Sequence, residues 1–432
     1  MPRCKTVRKR VCRTATVALA SIAPVLLALG LANATLAVSG QVSTLSAGSG
    51  SAAYPAPVRP PRTYSIPATA VRVSNSAQLV SALKRTVPSD IVLAAGTYDG
   101  ARAFQNVYGH RLYARRLGGA VFKAGLVIGG NGSQRGGLVR GVTFDVTKPG
   151  KTFQSSMVAT WGPAGRDVKV LDSMFDGHRA VAAAVLARQP DGLVVKRVVI
   201  RNVTDYGVFF EVPYPDYYRF EPTIPTLVED VDVAGVHRSS RGSANGTAEA
   251  GIWAGNKSTV RRIRVRDTGW MGIWTGGNCN DALFEDFNID DIHGTIPGSG
   301  ALMSVGVYVE HYTRRTVFRR FKLGGSGRGT LHVGINTEWA DPAYAGTNPA
   351  AETIGASYQN VFENGVITSS LDGVALHDAE RDTIRNVKFV GQTKAGIRDW
   401  RGTGNAYNGL DNDFAGLKAG ALPVDTSLQN DP

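Results

Sequence analysis

A short motif that recurs along the chain constrains its fold more than any other feature of the sequence. The motif is an apolar residue, two polar or small residues and two further apolar positions, as in Val139-Arg140-Gly141-Val142-Thr143-Phe144. Further copies begin at Leu171, Val195, Val228, Val260, Phe284, Phe318 and Ile384. Neighbouring copies lie roughly 21 to 45 residues apart, a period at which each repeat forms one unit of a stack.

Each copy is followed by a second short β-type segment that opens with Gly and a β-branched residue. These pairs are Gly207-Val208, Gly251-Ile252, Gly272-Ile273, Gly306-Val307, Gly334-Ile335, Gly373-Val374 and Gly396-Ile397. Segments this closely spaced leave no room for crossover helices, so they predict a parallel β-helix in which each coil pairs with its neighbours. The two polar residues of the motif then form a corner. A β-sandwich is the structural alternative, but it would use hairpins and would not need one motif in one orientation.

The first corner position alternates in charge from one copy to the next. Its residues are Arg140, Asp172, Lys196, Glu229, Arg261, Glu285 and Arg319. Because adjacent coils lie about 4.8 Å apart, each charge would stand between two opposite ones. We therefore predict a structural ladder and no nucleic-acid site, since aromatic residues are not interleaved with these basic residues as single-strand binding requires.

Residues 1–34 have the three parts of a secretory signal peptide. Six basic residues precede an apolar run from Ala15 to Leu31, and Ala32-Asn33-Ala34 resembles a cleavage site. An uncleaved membrane anchor is the alternative, because a run extending to Val38 could span a bilayer. Residues 35–68 are rich in Ser, Gly and Pro and are predicted to be a linker. The remaining residues, 69–432, are predicted to form the β-helix, and we expect a secreted, monomeric protein without membrane contact after cleavage.

Charge and cysteine content narrow the partners and the chemistry. The formal charge is +13, and without the six basic residues of the signal segment it is +7, which permits an acidic partner such as a polyuronate. The mature chain keeps only Cys279, so no internal disulfide is expected. No base is adjacent to Cys279 in sequence, which argues against a nucleophilic role.

Alignment of the second segments on their Gly places two sets of side chains on one outer face, because residues two apart in a strand point to the same side. Two positions after the Gly are Phe209, Trp253, Trp274, Tyr308, Asn336, Ala375 and Arg398. Four positions after it are Glu211, Gly255, Gly276, Glu310, Glu338, His377 and Trp400. Flat aromatic surfaces suit sugar rings, so we predict that this face binds a polysaccharide.

The candidate catalytic residues on this face are Glu310, Glu338, His377 and Arg398. The candidate substrate-binding residues are Trp253, Trp274, Tyr308, His311, Trp339, Asp378 and Asp399. Close carboxylates such as Glu310 and Glu338 raise the pKa of one of them, which provides the proton donor of a glycoside hydrolase. In a lyase, these groups would neutralise a uronate, with Arg398 or His377 as base. Ca²⁺ is compatible with the acidic residues, but it needs six to eight oxygens, and no metal ligands are assigned.

The segment before the repeats, residues 76–84 followed by 88–98, resembles the start of right-handed parallel β-helix proteins of the pectin-lyase-like superfamily. The resemblance implies an all-β fold, here of about ten coils, with a helix that caps the first coil and a first strand in Asp90–Tyr98. The residues agree, since Leu79, Val80 and Leu83 share one helix face. Ser74 or Ser76 can cap this helix, and Pro88 ends it.

The resemblance does not select an activity, because the superfamily contains lyases, hydrolases, epimerases and non-catalytic binders. The Gly-His-Gly motif of polygalacturonase-type hydrolases does not follow Asn288-Ile289-Asp290-Asp291 in this chain. The sequence therefore predicts a secreted β-helix protein that acts on a polysaccharide as a lyase or a glycoside hydrolase. The alternative is a non-catalytic extracellular glycan-binding or surface structural protein.

Overall fold

The computed structural model describes residues 60–61, 63–129, 136–161, 165–211, 220–236, 249–275, 279–293, 304–310, 312–324, 331–337 and 357–427. These residues belong to the unit Ala52–Pro432. The predicted signal peptide and all but the end of the predicted linker lie outside them. Within these ranges, no helix is long and apolar enough to cross a membrane.

The chain forms a right-handed parallel β-helix, the fold that the sequence predicts. Sheet 1 contains twelve parallel strands, close to the predicted number of coils. They are β4 (Phe104–Asn106), β7 (Leu126–Gly129), β10 (Ser156–Trp161), β13 (Ala183–Arg188), β15 (Tyr206–Glu211), β17 (Ala250–Ala254), β19 (Met271–Thr275), β21 (Val305–Val309), β23 (Val333–Thr337), β25 (Asp372–His377), β27 (Ala395–Trp400) and β29 (Leu422–Asp425).

Sheet 2 contains the other seventeen strands, and its longest members turn the corner between two faces of each coil. They are β1 (Val71–Val73), β2 (Asp90–Leu93), β3 (Gly96–Tyr98), β5 (Arg111–Ala114), β6 (Ala120–Phe122), β8 (Gly137–Arg140), β9 (Thr143–Asp145), β11 (Val168–Leu171), β12 (Met174–Asp176), β14 (Val194–Val203), β16 (Thr226–Val236), β18 (Ser258–Thr268), β20 (Leu283–Ile292), β22 (Val317–Leu323), β24 (Val361–Thr368), β26 (Thr383–Val390) and β28 (Asp413–Gly416). A short 3₁₀ helix spans Pro149–Lys151.

The predicted two-residue corner lies inside the long strands of sheet 2. Its second residue takes a left-handed conformation in successive coils, with φ of 51° at Arg197, 55° at Asp230 and 51° at Arg262. This conformation is uncommon for residues with a Cβ, and it turns the backbone sharply. The residues before and after the corner therefore belong to different outer faces.

The corner carries the predicted ladder of alternating charge, with one correction. The register order of its first column is Lys196, Glu229, Arg261, Glu285, Arg319, Glu363 and Arg385. Asp172 belongs instead to the second column, because Leu171 is the register partner of Lys196. That second column, Asp172, Arg197, Asp230, Arg262, Asp286 and Arg320, also alternates in charge. From Lys196 to Arg320, each coil thus carries two like charges at its corner, and they face two charges of the opposite sign on the next coil.

Ion pairs between neighbouring coils join the ladder. Arg261 lies 2.7 Å from Glu229, and Arg319 lies 2.8 Å from Glu285. Glu229 is 2% exposed. Although burial raises its pKa, hydrogen bonds from Lys196 and Arg261 hold the pKa of Glu229 at about 2. A one-residue slip would leave one of the two charges in each coil without its opposite partner, so the ladder helps to maintain the strand register.

The interior is filled by stacked apolar side chains of like kind. Phe284 and Phe318 stack with ring centroids 4.8 Å apart, and Phe318 and Phe362 stack at 5.0 Å. All three rings are fully buried. Burial of this kind is the main source of stability for a domain whose single described cysteine, Cys279, is free.

The glycines that open the strands of sheet 1 face this interior. A Cβ added at Gly272 would lie 2.3 Å from the Ile289 side chain and 2.7 Å from the Gly306 carbonyl oxygen. We expect Gly272→Ala to lower the free energy of unfolding by about 1–3 kcal/mol through overpacking, measured by urea denaturation. Gly255→Ala is the matched control, because a Cβ at Gly255 would meet no atom within 4 Å. Equal stability of the two variants would contradict this account.

The capping helix is present, with a different N-cap from the predicted Ser74 or Ser76. Helix α1 spans Ser76–Leu83, and the Asn75 side chain accepts a hydrogen bond from the Gln78 backbone N–H at 2.9 Å. The buried face contains Leu79, Ala82 and Leu83, whereas the predicted Val80 is 40% exposed. The predicted first strand, Asp90–Tyr98, is divided into β2 and β3, and β1 precedes it.

Candidate functional site

The outer face of sheet 1 carries the column of side chains that the Gly alignment predicts. The register order is Phe209, Trp253, Trp274, Tyr308, Asn336, Ala375 and Arg398. At about 4.8 Å per coil, the six steps from Phe209 to Arg398 extend over roughly 29 Å. We call Phe209, Trp253, Trp274 and Tyr308 the aromatic column.

The rings of the aromatic column stack on one another. The centroids of Trp253 and Trp274 are 4.0 Å apart with an interplanar angle of 14°. Phe209 lies 4.7 Å from Trp253, and Tyr308 meets Trp274 edge-on at 87°. The two indoles therefore cover each other's faces and present ring edges, so the flat aromatic surface expected from the sequence is not formed by this pair.

A second group of charged residues lies at the C-terminal end of the same face, on β25, β27 and β29. One guanidinium nitrogen of Arg398 is 3.1 Å from Asp372 Oδ1, and Arg398 Nε is 3.4 Å from Asp425 Oδ2. The Arg398 guanidinium also lies over the Trp400 ring, 5.2 Å from its centroid. The His377 ring meets the Trp400 ring edge-on at 4.3 Å. We call these five residues the terminal cluster.

The terminal cluster shifts the pKa values of its members in different directions. Burial raises the pKa of Asp372, although Arg398 opposes the shift. A hydrogen bond from Ser427 lowers the pKa of Asp425, and Arg398 adds to this effect. Burial, with the charges of Arg398 and Arg401, lowers the pKa of His377 to about 3. At neutral pH the cluster thus holds an ionised carboxylate, a carboxyl that retains its proton more strongly than usual, and a neutral imidazole.

The terminal cluster contains two of the four predicted catalytic residues, His377 and Arg398. The third, Glu310, is only 8% exposed, and its backbone N–H donates to Thr275 Oγ1 at 3.1 Å. The charge of Glu310 acts on the buried Cys279, where it adds to the effect of burial in raising the pKa of the thiol. The fourth, Glu338, lies outside the described residues, so the pairing of Glu310 with Glu338 stays a prediction.

The remaining predicted binding residues are divided among several environments. His311 and Trp339 lie outside the described residues. Asp378 forms an ion pair with Arg401 at 2.7 Å. Asp399, expected to flank the outer face, is instead fully buried and accepts hydrogen bonds from Asn405 and Tyr407. Its register partner is the core residue Leu376, because Asp399 is one residue out of phase with Arg398 and Trp400.

The sequence interpretation missed Asp372 and Asp425. Asp372 directly precedes Gly373, and it shares a register column with Ala395 on the outer side of sheet 1. A signal for Asp372 exists in the sequence, because it is a charged residue directly before one of the opening glycines. The Gly alignment considered only the positions after each Gly and therefore missed it. Asp425 is the register partner of Arg398. Strand β29 has no opening Gly, so the pattern had no anchor there.

One group of metal-ligating side chains occurs in the described part of the chain. Asp267, Asp291 and His293 place one ligand atom each within 4.8 Å of the others, at the ends of β18 and β20. His293 Nε2 is 3.0 Å from Asp291 Oδ1. These side chains alone supply fewer ligand atoms than Ca²⁺ requires. Ion pairs of His293 with Asp267 and Asp291 already account for the closeness of the three side chains.

The buried thiol of Cys279 has a structural environment. Its Sγ donates to the Gly255 carbonyl oxygen at 3.3 Å, and burial raises the pKa of the thiol. A thiol held in its neutral form is a poor nucleophile. This agrees with the sequence argument against a catalytic cysteine.

No family model and no curated protein matches the chain. Among solved structures, it is similar to the catalytic unit of a GH87 α-1,3-glucanase from Streptomyces thermodiastaticus strain HF3-3, with a TM-score of 0.49 and 12% identity over 83% of this chain and 71% of that one. It is also similar to an alginate lyase from Paenibacillus sp. str. FPU-7, with a TM-score of 0.34 and 12% identity over 81% and 99%. A third is PfbA, a surface adhesin of Streptococcus pneumoniae, with a TM-score of 0.44 and 11% identity over 79% and 86%. These similarities are too low to select an activity.

Proposed function

We propose that the protein is a secreted, monomeric β-helix protein that binds a polysaccharide along the outer face of sheet 1 and cleaves it at the terminal cluster. One observation carries the proposal. The register column that contains the aromatic rings continues to Arg398, which contacts two carboxyls whose pKa values are shifted in opposite directions. A binding surface and a pair of acid–base groups thus lie on one continuous face.

The carboxyl pair supports glycoside hydrolysis. Asp372, with its raised pKa, is suited to donate a proton to the oxygen of the glycosidic bond. Asp425, with its lowered pKa, remains ionised and is suited to act on the opposite side as nucleophile or base. Arg398 contacts both and positions them. The sequence hypothesis that Glu310 and Glu338 fill these two roles is tested by the same assay.

A lyase reaction is the second candidate, because His377 and Arg398 both contact the Trp400 ring. The imidazole of His377 is neutral at physiological pH, and its pKa of about 3 makes it a weak base. In a lyase it would take the proton adjacent to the carboxylate of a uronate, and Arg398 would stabilise the negative charge that develops. The substrate would then be an acidic polysaccharide.

A non-catalytic binding or surface structural protein is the alternative to both enzymes. Asp372 and His377 are each only 5% exposed, and the indoles of the aromatic column cover each other's faces. These features agree with a face that is packed for stability. An experiment is therefore needed to distinguish the hydrolase, the lyase and the non-catalytic binding protein.

A glycan degradation screen, with and without Ca²⁺, distinguishes these functions. It uses the protein with pectate, alginate, glycosaminoglycans and neutral polymers, and it measures reducing ends together with the ultraviolet absorbance of unsaturated uronates. New reducing ends alone indicate the proposed hydrolase, and new ends with absorbance indicate a lyase. If the folded protein produces neither new reducing ends nor absorbance but still retains a glycan, the result indicates the binding protein.

The aromatic column is tested by replacement of both Trp253 and Trp274 with Ala. We expect glycan retention in affinity electrophoresis to weaken by about tenfold or more, which corresponds to roughly 1.4 kcal/mol. Trp161→Ala is the control, because Trp161 lies on the same sheet five coils before Tyr308 and outside the column. Circular dichroism checks that both variants fold. Unchanged retention by the double variant would remove the aromatic column from the binding site.

A further inference from the structure

A different outer face, formed by sheet 2 after the corner, has no role in the proposed function. Its outward side chains alternate with the buried Ile263 and Val265 on β18 and with their equivalents in neighbouring coils. The polar members are Arg201, Asp232, Arg264, Arg266, Asn288, Asp290 and Lys322. We call this surface the arginine face.

The arginines of this face differ from those of the corner ladder. Arg262 in the ladder lies 2.6 Å from Asp230 and also contacts Glu229. Arg264, two residues further along β18, is half-buried. In the described part of the chain, its buried Nε has no hydrogen-bond partner and its guanidinium forms no ion pair. Two arginines of one strand thus have opposite environments: Arg262 pairs with two carboxylates, whereas Arg264 forms no ion pair with any described residue.

The groups next to Arg264 are also incompletely bonded. Arg266 Nε is buried and donates no hydrogen bond to a described residue, and it lies 3.9 Å from Asp232 Oδ1. Asp232 is 2% exposed, and this same Oδ1 accepts no hydrogen bond from any described residue. Asn288 Oδ1 is in the same state. Each unsatisfied buried polar group is unfavourable for folding, so a concentration of them on one face needs an explanation.

The charge of the arginine face is positive. Four of its seven polar members are basic and two are acidic. Of the two acidic members, Asp232 pairs with Arg201 at 2.9 Å, and Asp290 is the register partner of Arg266. The group of Asp267, Asp291 and His293 borders the face at the strand ends, where its members pair with one another. Among the described residues, neither acidic member of the face forms an ion pair with Arg264, since Asp232 pairs with Arg201 and lies near Arg266.

We propose that the arginine face binds an oxyanion, a carboxylate or a sulfate group, with Arg264 as the principal donor and Arg266 beside it. A planar guanidinium can donate two parallel hydrogen bonds to such a group, and an anionic ligand supplies the missing counter-charge. Both oxyanions are carried by acidic glycans. The site is independent of the aromatic column and the terminal cluster, so it stands even where the proposed function fails.

The test is titration calorimetry of the full protein with three probes. Oligogalacturonate carries carboxylates, dextran sulfate carries sulfate groups, and unmodified dextran carries neither. We expect binding of an anionic probe without binding of dextran, and the preferred probe assigns the oxyanion. Arg264→Gln should weaken this binding by at least about tenfold. Arg262→Gln, which removes the same charge from the same strand, should leave it within about twofold of wild type.

Two further measurements keep the result interpretable. Thermal denaturation without probe should show a lower melting temperature for Arg262→Gln and an unchanged one for Arg264→Gln. Of these two arginines, only Arg262 has ion-pair partners among the described residues. The Trp253 and Trp274 double variant should retain the anion binding, which separates this site from the glycan face. The proposal is overturned if neither anionic probe binds wild type, or if the two arginine variants lose affinity equally.

Discussion

Replacement of Asp372 by Asn is expected to reduce the rate of glycan cleavage by about 10²- to 10⁴-fold, the usual effect of removing a general acid. Asn keeps the shape of the side chain next to Arg398 but cannot donate a carboxylic proton to the leaving oxygen. Glycan retention should remain, because the aromatic column is unchanged. The measurement is the initial rate of reducing-end formation on the polymer that the screen identifies, alongside affinity electrophoresis.

Variants of the neighbouring residues show which chemistry operates. Asp425→Asn should also suppress hydrolysis, whereas His377→Gln should suppress a lyase more strongly than a hydrolase. In wild type, hydrolysis should decline as the pH rises through the raised pKa of Asp372, because the proton donor is then lost. Full activity in Asp372→Asn together with loss in Glu310→Gln would assign catalysis to the predicted glutamates and refute the role of the terminal cluster.

Replacement of Asp382 by Asn is expected to stabilise the protein above pH 7 by up to about 4 kcal/mol, taking about 1.36 kcal/mol for each pKa unit. Asp382 is fully buried, and burial raises its pKa from 3.8 to about 7. A raised pKa in the folded state contributes stability that is complete below pH 3.8 and is lost as the pH rises through 7. Wild type should therefore lose stability across this window, and Asp382→Asn should not show this loss.

The surroundings of Asp382 explain why Asn should fit. The backbone N–H of Thr316 donates to Asn360 Oδ1, that of Asn360 to Asp382 Oδ1, and that of Asp382 to Asn405 Oδ1. Asp382 thus occupies one position in a buried ladder whose neighbours on both sides are Asn. An Asn oxygen would accept the same hydrogen bond from Asn360, and its Nδ2 would donate to the Ser357 hydroxyl that now donates to Asp382 Oδ2. The cost of a buried charge is then removed.

Urea denaturation between pH 4 and 8 measures the effect of Asp382→Asn. Asp411→Asn is the matched control, because Asp411 is an exposed carboxylate changed in the same way. Its stability should follow the wild-type pH profile. Parallel profiles for wild type and Asp382→Asn would show that Asp382 does not titrate in this window.

Local patterns in the chain were sufficient to predict most of the fold. The motif and the opening glycines repeat once per coil, and parallel pairing brings equivalent positions of successive coils into register. The column from Phe209 to Arg398 was therefore predicted residue by residue. The assignment of Asp172 to the first corner column was wrong, because that copy is displaced by one residue from the others. The N-cap of α1 was also predicted one residue away from its position, because Ser74, Asn75 and Ser76 can all cap a helix.

What the sequence by itself determined is the parallel β-helix, the corner ladder and the face on which the aromatic rings lie, because each depends on spacing that repeats from coil to coil. Only the tertiary structure decided how these side chains are arranged in space. Mutual stacking turned the flat faces of Trp253 and Trp274 towards each other, and the last coils brought Asp372 and Asp425 to Arg398. Burial raised the pKa of Asp372, and the Ser427 hydrogen bond lowered that of Asp425. Among the described residues, Arg264 forms no ion pair and its Nε donates no hydrogen bond. Desolvation and pairing depend on all the neighbours of a group, and no repeat in the chain specifies them.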